Sequence, residues 1–185
     1  MIGRLPTSLN VNGKEMKIRS DFRDCLLIFQ AFNDTDLTDE EQMMVMLQCL
    51  YVDYQDFKQD DIEQAINQAV WFLNCGNTVG NPHSDKPLYD FEHDEQIMFA
   101  SINHVAGREI RLEEYVHFWT FMGYFNEIGE GTFSTVVSIR SKKQKGKKLE
   151  KYEQEYYSKN KELIDLPKRY SQKEQEEIDK LLSIL

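Results

Sequence analysis

Three times in succession between residues 20 and 76, apolar residues recur at spacings of three and four, each run preceded by a residue able to cap a helix. A stripe of that period can be buried only along one side of an α-helix, so the chain is expected to be mainly α. Ser20 is expected to cap the first run, Phe22, Leu26, Phe29 and Ala31, which Asn33-Asp34 ends. Thr38-Asp-Glu-Glu41 has the form of a capping box, with acidic residues favoured by the helix dipole. It opens a stripe of Met43, Leu47, Leu50, Tyr51 and Tyr54. Asp60-Asp-Ile-Glu63 offers a second box ahead of Ile62, Ile66, Ala69, Val70 and Leu73, and Cys75-Gly76 supplies the stop.

A hairpin is predicted in front of these helices. Leu9 and Val11 alternate with polar residues, as do Met16 and Ile18, and Asn12-Gly13 between them supplies the two positive-φ positions of a type I′ turn. Two strands alone are marginal in water, so their apolar face must lie on something else. Residues 77–90 hold two Gly/Pro breaks among polar residues and read as a long loop. A helix is expected from Asp90 to Val105, stopped at Gly107. Another, apolar most of the way round and therefore expected at the centre of the core, spans Leu112 to Asn126. After Gly129–Gly131, Thr132 is placed to cap a short helix through Val136, Val137 and Arg140.

The balance of charge then changes. Residues 1–140 carry 10 Lys/Arg against 23 Asp/Glu, whereas residues 141–185 carry 12 against 9, which divides the chain into a helical body at 1–140 and a tail at 141–185. The basic run Ser141–Lys148 lacks aromatics and contains a Gly, so it reads as a solvated linker. Leu149 to Asn160 is helix-prone. Ser171-Gln-Lys-Glu174 is another capping box and leads to Ile178, Leu181, Leu182 and Leu185, an apolar edge that either folds back or meets a partner. The net charge of −10 opposes general nucleic-acid binding. No stretch approaches the roughly 18 apolar residues of a membrane span. Arg4 has no apolar run behind it, so no secretory signal is expected.

Candidate chemistry is sparse. Ile128-Gly-Glu-Gly-Thr-Phe-Ser-Thr-Val-Val137 resembles the glycine-rich loop of protein kinases, but only 48 residues follow it and no His-Arg-Asp occurs, so the glycines are read as a helix stop and turn. His93 and His104 would lie about 16 Å apart along one helix, too far to share an ion. His117 is expected as a hydrogen-bonded core or boundary residue. Cys25, Cys49 and Cys75 have neither disulfide nor metal-ligand spacing and are read as reduced core thiols. The paired carboxylates fall at helix starts. No catalytic, cofactor-binding or metal-binding residue is therefore assigned, and no enzyme is expected.

Tyr89, Asp90, Phe91 and Asp94, followed by Val116-His-Phe-Trp119, Phe121 and Arg140, form a pattern similar to the bacteriophage family called gene product fifteen. Val116 and Phe118 depart from that family's Leu-His-Trp-Trp run. The resemblance implies a protein of phages or prophages of Gram-positive hosts, encoded between the major tail protein and the tape-measure protein. It further implies a cytoplasmic tail-assembly chaperone, absent from the finished virion, that holds the tape measure and helps tube subunits polymerise on it. A structural tail or connector component retained in the virion is the alternative. The expected partners are the tape-measure protein and the major tail protein, with self-association also open, and no cofactor is expected. The sequence points to Ile178, Leu181, Leu182 and Leu185, together with the loop at 77–90, as the client contact.

Overall fold

The turn at Asn12-Gly13 closes as its chemistry requires. Both residues have positive φ, 49° and 84°, in the computed structural model, which describes residues 2–77 and 87–170 together with Glu174 and Lys180. The turn joins β1 (Ser8–Val11) to β2 (Lys14–Lys17) in an antiparallel pair with Leu9 opposite Met16 and Val11 opposite Lys14. Leu9, Val11 and Met16 are buried, so the pleat sorts one apolar face inward. That face finds its cover on the helices that follow. The chain is mainly α-helical and divides into two units, one within residues 1–78 and one within residues 79–167.

In the first unit, α1 (Phe22–Phe32) packs on α2 (Asp39–Leu50), α2 on α3 (Ile62–Leu73), and α3 against β1. Asp21, not Ser20, caps α1, its carboxylate accepting the Arg23 N–H at 3.0 Å while Ser20 is buried. The α2 box forms as expected: Glu41 accepts from the Thr38 N–H at 2.8 Å and its own N–H donates back to the Thr38 hydroxyl. Phe22, Ala31, Leu47, Leu50, Tyr51, Ala69 and Leu73 of the predicted stripes are buried, and other predicted positions give way to different residues. Cys25 and Ile28 replace Leu26 and Phe29 in the core, Met46 replaces Met43, and Ala65 and Phe72 are buried while Ile66 and Val70 are half-buried. Tyr51 lies wholly inside and donates its hydroxyl to the Ala65 carbonyl at 2.8 Å. The Arg19 guanidinium takes the carbonyls of Gln48 and Tyr51, satisfying acceptors at the end of α2 that have no partner in the helix.

One side chain of the hairpin turn is bonded to the start of α3. Asn12 donates to the Asp61 carboxylate at 2.8 Å and to the Asp60 carbonyl at 3.2 Å. Asp61 also accepts from the Lys58 N–H, so the expected box at Asp60–Glu63 is replaced by a short 3₁₀ turn at Gln59–Asp61. At the other end, Cys75 adopts a left-handed conformation with φ 55°. Its N–H reaches the Phe72 carbonyl and the Gly76 N–H reaches that of Trp71, the paired bonds of a Schellman stop. Cys25 is buried, and Cys49 and Cys75 are half-buried, so only one of the three thiols is a full core residue.

The second unit contains α4 (Glu95–Ala106), α5 (Phe118–Asn126), α6 (Thr132–Gln144), α7 (Lys151–Lys159) and the single turn α8 (Lys161–Ile164). The predicted helix from Asp90 begins later. Asp90 instead accepts the N–H groups of Glu92 and His93, holding residues 90–94 in a turn that leads into α4. The predicted helix from Leu112 is also shorter. A 3₁₀ turn at Ile110–Leu112 is followed by extended backbone at Glu113, and Leu112 is 85% exposed. The α-helix starts at Phe118 because the His117 ring Nδ1 accepts the Trp119 N–H at 3.0 Å and caps it. Only Phe118 and Phe121 of α5 are fully buried, so the core of this unit is shared with Met98 and Ile102 of α4 and Val136 and Ile139 of α6. Among the described residues, no helix is long and apolar enough to cross a membrane.

The segment after residue 140 is not a free tail as far as Asp165. Ser141–Gln144 completes α6, and Gly146, at φ 63°, ends it with another Schellman pair: Gly146 to Lys143 and Lys147 to Lys142. Ile164 is buried beside Val136 and Ile139, with Leu149, Tyr156, Tyr157 and Leu163 packed around them. The expected solvated linker is thus a helix end and its stop.

Two measurements check this account. Asn12→Ala should destabilise the first unit by about 1–2 kcal/mol in thermal unfolding, through loss of the bonds to Asp61 and the cost of a left-handed alanine. Asn12→Gly, which keeps the turn geometry, should cost visibly less. Separately, the Arg111 guanidinium, aided by the Arg111 N–H and Asn103, holds the Glu109 carboxyl down to about 2. Its depressed folded value places the stabilisation fully above the ordinary carboxylate range, to be lost as pH falls toward about 2. A carboxyl NMR titration should find that midpoint, and Arg111→Ala should raise it.

Candidate functional site

Helix α6 carries Val136, Ile139 and Arg140 on one buried face. A guanidinium has five N–H donors in a fixed plane, and burial is tolerable only when they are paired. Here all five are. Arg140 donates from Nη1 and Nη2 to the two Asp94 oxygens at 2.6 and 2.8 Å, a bidentate pair. The remaining donors reach the carbonyls of Leu88 at 3.1 Å, Leu163 at 2.9 Å and Ile164 at 2.6 Å. Asp94 is completely buried and accepts a further bond from the Asp90 N–H at 3.0 Å. The His93 ring lies 3.3 Å from the Leu163 carbonyl. One side chain thereby ties the approach to α4, helix α6 and the turn α8 together.

Beside this ion pair the aromatic residues gather. Tyr89 meets Phe91 edge-on at 5.4 Å and Phe125 at 5.1 Å, Phe125 meets Phe133 at 5.6 Å, and Phe91 faces Phe121 at 6.5 Å. Tyr89, Asp90, Phe91, Asp94, Phe121 and Arg140, far apart in sequence, therefore belong to one contiguous structural node. His117 is a buried cap, as expected of a core or boundary histidine.

A cleft of about 550 Å³ opens next to the node. Leu88, Tyr89, Phe125, Phe133 and Val137 give it an apolar floor; Ser134, Ser138 and Ser141 line the α6 side, and Lys142, Lys145 and Lys147 stand at one end. Lys142 is held by both Glu153 oxygens, at 2.7 and 2.8 Å, a bond that raises the ammonium above its ordinary value and lowers the carboxyl. Lys143 pairs with Asp165 and sits 3.7 Å over the Tyr157 ring. Among the described residues, neither Lys145 nor Lys147 is in an ion pair, and both are exposed.

Of the client contacts expected from the sequence, Ile178, Leu181, Leu182 and Leu185 lie outside the described residues, as does most of the loop at 77–90. Leu88 and Tyr89, at the end of that loop, do line the cleft. The cleft itself was not anticipated. Its signal is the spacing Ser134, Val137, Ser138, Ser141, Lys142, Lys145, a helical stripe that runs across the boundary drawn at residue 140. Residues 128–137, which resemble a phosphate loop, supply a turn and the first part of α6, where Gly131 occupies the N-cap position and the Ser134 hydroxyl accepts its N–H. His93 lies in the turn before α4 and His104 on the helix itself. Among the described residues, no group of three or more His, Cys, Asp or Glu could hold a metal ion.

The two classes of ion pair should separate in unfolding experiments. Arg140→Lys, which cannot reproduce the fork and leaves buried acceptors unmet, should cost about 3 kcal/mol or more. Lys143→Ala, which removes a half-exposed pair, should cost about 1 kcal/mol or less.

No curated protein and no solved structure matches the chain. A family model does: the one described as Bacteriophage Gp15 protein matches residues 1–166, which takes in both units and the whole node around Arg140. The chain belongs to the bacteriophage Gp15 family.

Proposed function

We propose that this phage protein is a non-enzymatic tail-assembly chaperone that binds the tape-measure protein in the host cytoplasm and leaves before the virion is complete. The observation that carries the reading is the family match over residues 1–166. The tail-cluster role follows from the resemblance to that family, and the physical properties of the chain are compatible with it. A net charge of −10 would keep a coated client in solution by mutual repulsion. Many copies along one long client gain avidity, so each contact can stay weak enough to release when tube protein arrives.

The apolar edge Ile178, Leu181, Leu182 and Leu185 is the proposed primary grip on the client, assisted by the loop at 77–90. Co-expression with the tape-measure protein encoded by the same phage tests this. The full chain should co-purify with it, and a chain lacking 171–185 should not, while the helical circular-dichroism signal of the remainder persists. Undiminished co-purification of the shortened chain would remove the edge from the account, and failure of the full chain to co-purify would remove the chaperone reading.

A further inference from the structure

Helix α6 has two working faces. Val136, Ile139 and Arg140 point into the core, and the adjacent stripe from Ser134 to Lys145 forms one wall of the cleft. Eleven residues of helical rise make that wall about 16 Å long, close to three turns. A partner helix presenting apolar side chains at i, i+3, i+4 and i+7 displays its anchors over about 10 Å, short enough to lie along that wall. The floor suits such anchors: Tyr89, Phe125 and Phe133 are aromatic, Leu88 and Val137 aliphatic. The cleft's volume also lies within the range of sites that hold ligands.

The charge narrows the choice of partner. On a chain with net charge −10, three lysines and no carboxylate line this cleft among the described residues. Lys142 is already bound to Glu153, which leaves Lys145 and Lys147 to meet charge brought from outside. We propose that the cleft binds an amphipathic helical segment of another polypeptide whose apolar anchors are flanked by carboxylates. The anchors enter between α6 and the Tyr89–Phe125 wall, and the carboxylates pair with Lys145 and Lys147 at the rim. The acidic balance of residues 1–140 disfavours the same segment there, so this basic end orients it. The inference stands on the cleft and not on the tape-measure reading, which is tested by co-purification through a different segment.

Fluorescence anisotropy with designed peptides tests it on the full chain. One labelled peptide of about 16 residues carries Leu at i, i+3, i+4 and i+7 with Glu on the flanking positions; its counterpart carries Lys in place of Glu. The Glu peptide should bind at least about tenfold more tightly, with an advantage that shrinks as salt is raised and the Debye length falls. The double variant Lys145→Glu, Lys147→Glu should reverse the preference between the two peptides. Ser138→Trp, which places a large ring in the cleft from an exposed position on α6, should abolish binding of both. Circular dichroism confirms that each variant is folded. Equal affinity for the two peptides, an unchanged preference in the double variant, or intact binding to Ser138→Trp would each overturn the proposal. So would binding of neither peptide by the folded wild-type chain.

Discussion

The second unit depends on the pairing of one buried guanidinium. Taking Arg140 and Asp94 out of water carries a desolvation cost of several kcal/mol per ion, which their attraction offsets only if the geometry is good and the remaining donors are also met. The bidentate contact meets the first condition and the carbonyls of Leu88, Leu163 and Ile164 the second. An apolar residue at position 140 could fill the volume, but it could not specify which carbonyls must converge there. The ion pair therefore acts as a register device. It determines where α8 must end and how the turn at 90–94 must close, with the greasy contacts of Val136, Ile139 and Ile164 supplying the burial around it.

That dependence changes the meaning of the residues that carry the family resemblance. Asp94 and Arg140 are a charged pair in a conspicuous sequence pattern. Here every donor is consumed by the fold, Asp90 is spent on the turn before α4, and the aromatic members of the pattern pack on one another. The pattern marks an architecture. The surface beside it, to which Tyr89 also contributes, holds the cleft proposed as a docking site.

Local chemistry was legible where a short motif demands one backbone state. The type I′ turn at Asn12-Gly13, the box at Thr38–Glu41 and the stop at Cys75-Gly76 all form where their residues indicate. Helix phase was less legible. Part of each predicted stripe is buried, Phe22, Leu47 and Ala69 among it, but Leu26, Met43 and Ile66 give way to Cys25, Met46 and Ala65, because the face turned inward is set by what lies opposite. Helix starts were missed when the cap was an unexpected residue: Asp21 in place of Ser20, and His117, whose ring nitrogen does what a serine hydroxyl does elsewhere. The boundary at 140 followed charge, but Lys142 and Lys143 are structural partners of Glu153 and Asp165. A lysine-rich run resembles a linker only until its carboxylates are found about ten to twenty residues downstream.

Leu88 has a double assignment. Its carbonyl receives Arg140, and its side chain helps to line the cleft. The backbone at one wall is consequently anchored by the folding of the unit itself and not by whatever enters later. The proposed recognition there would be closer to a rigid mould than to a clasp, because the loss of main-chain freedom at Leu88 has already occurred when the core assembles. A visitor of the proposed kind would then sacrifice mainly its own mobility.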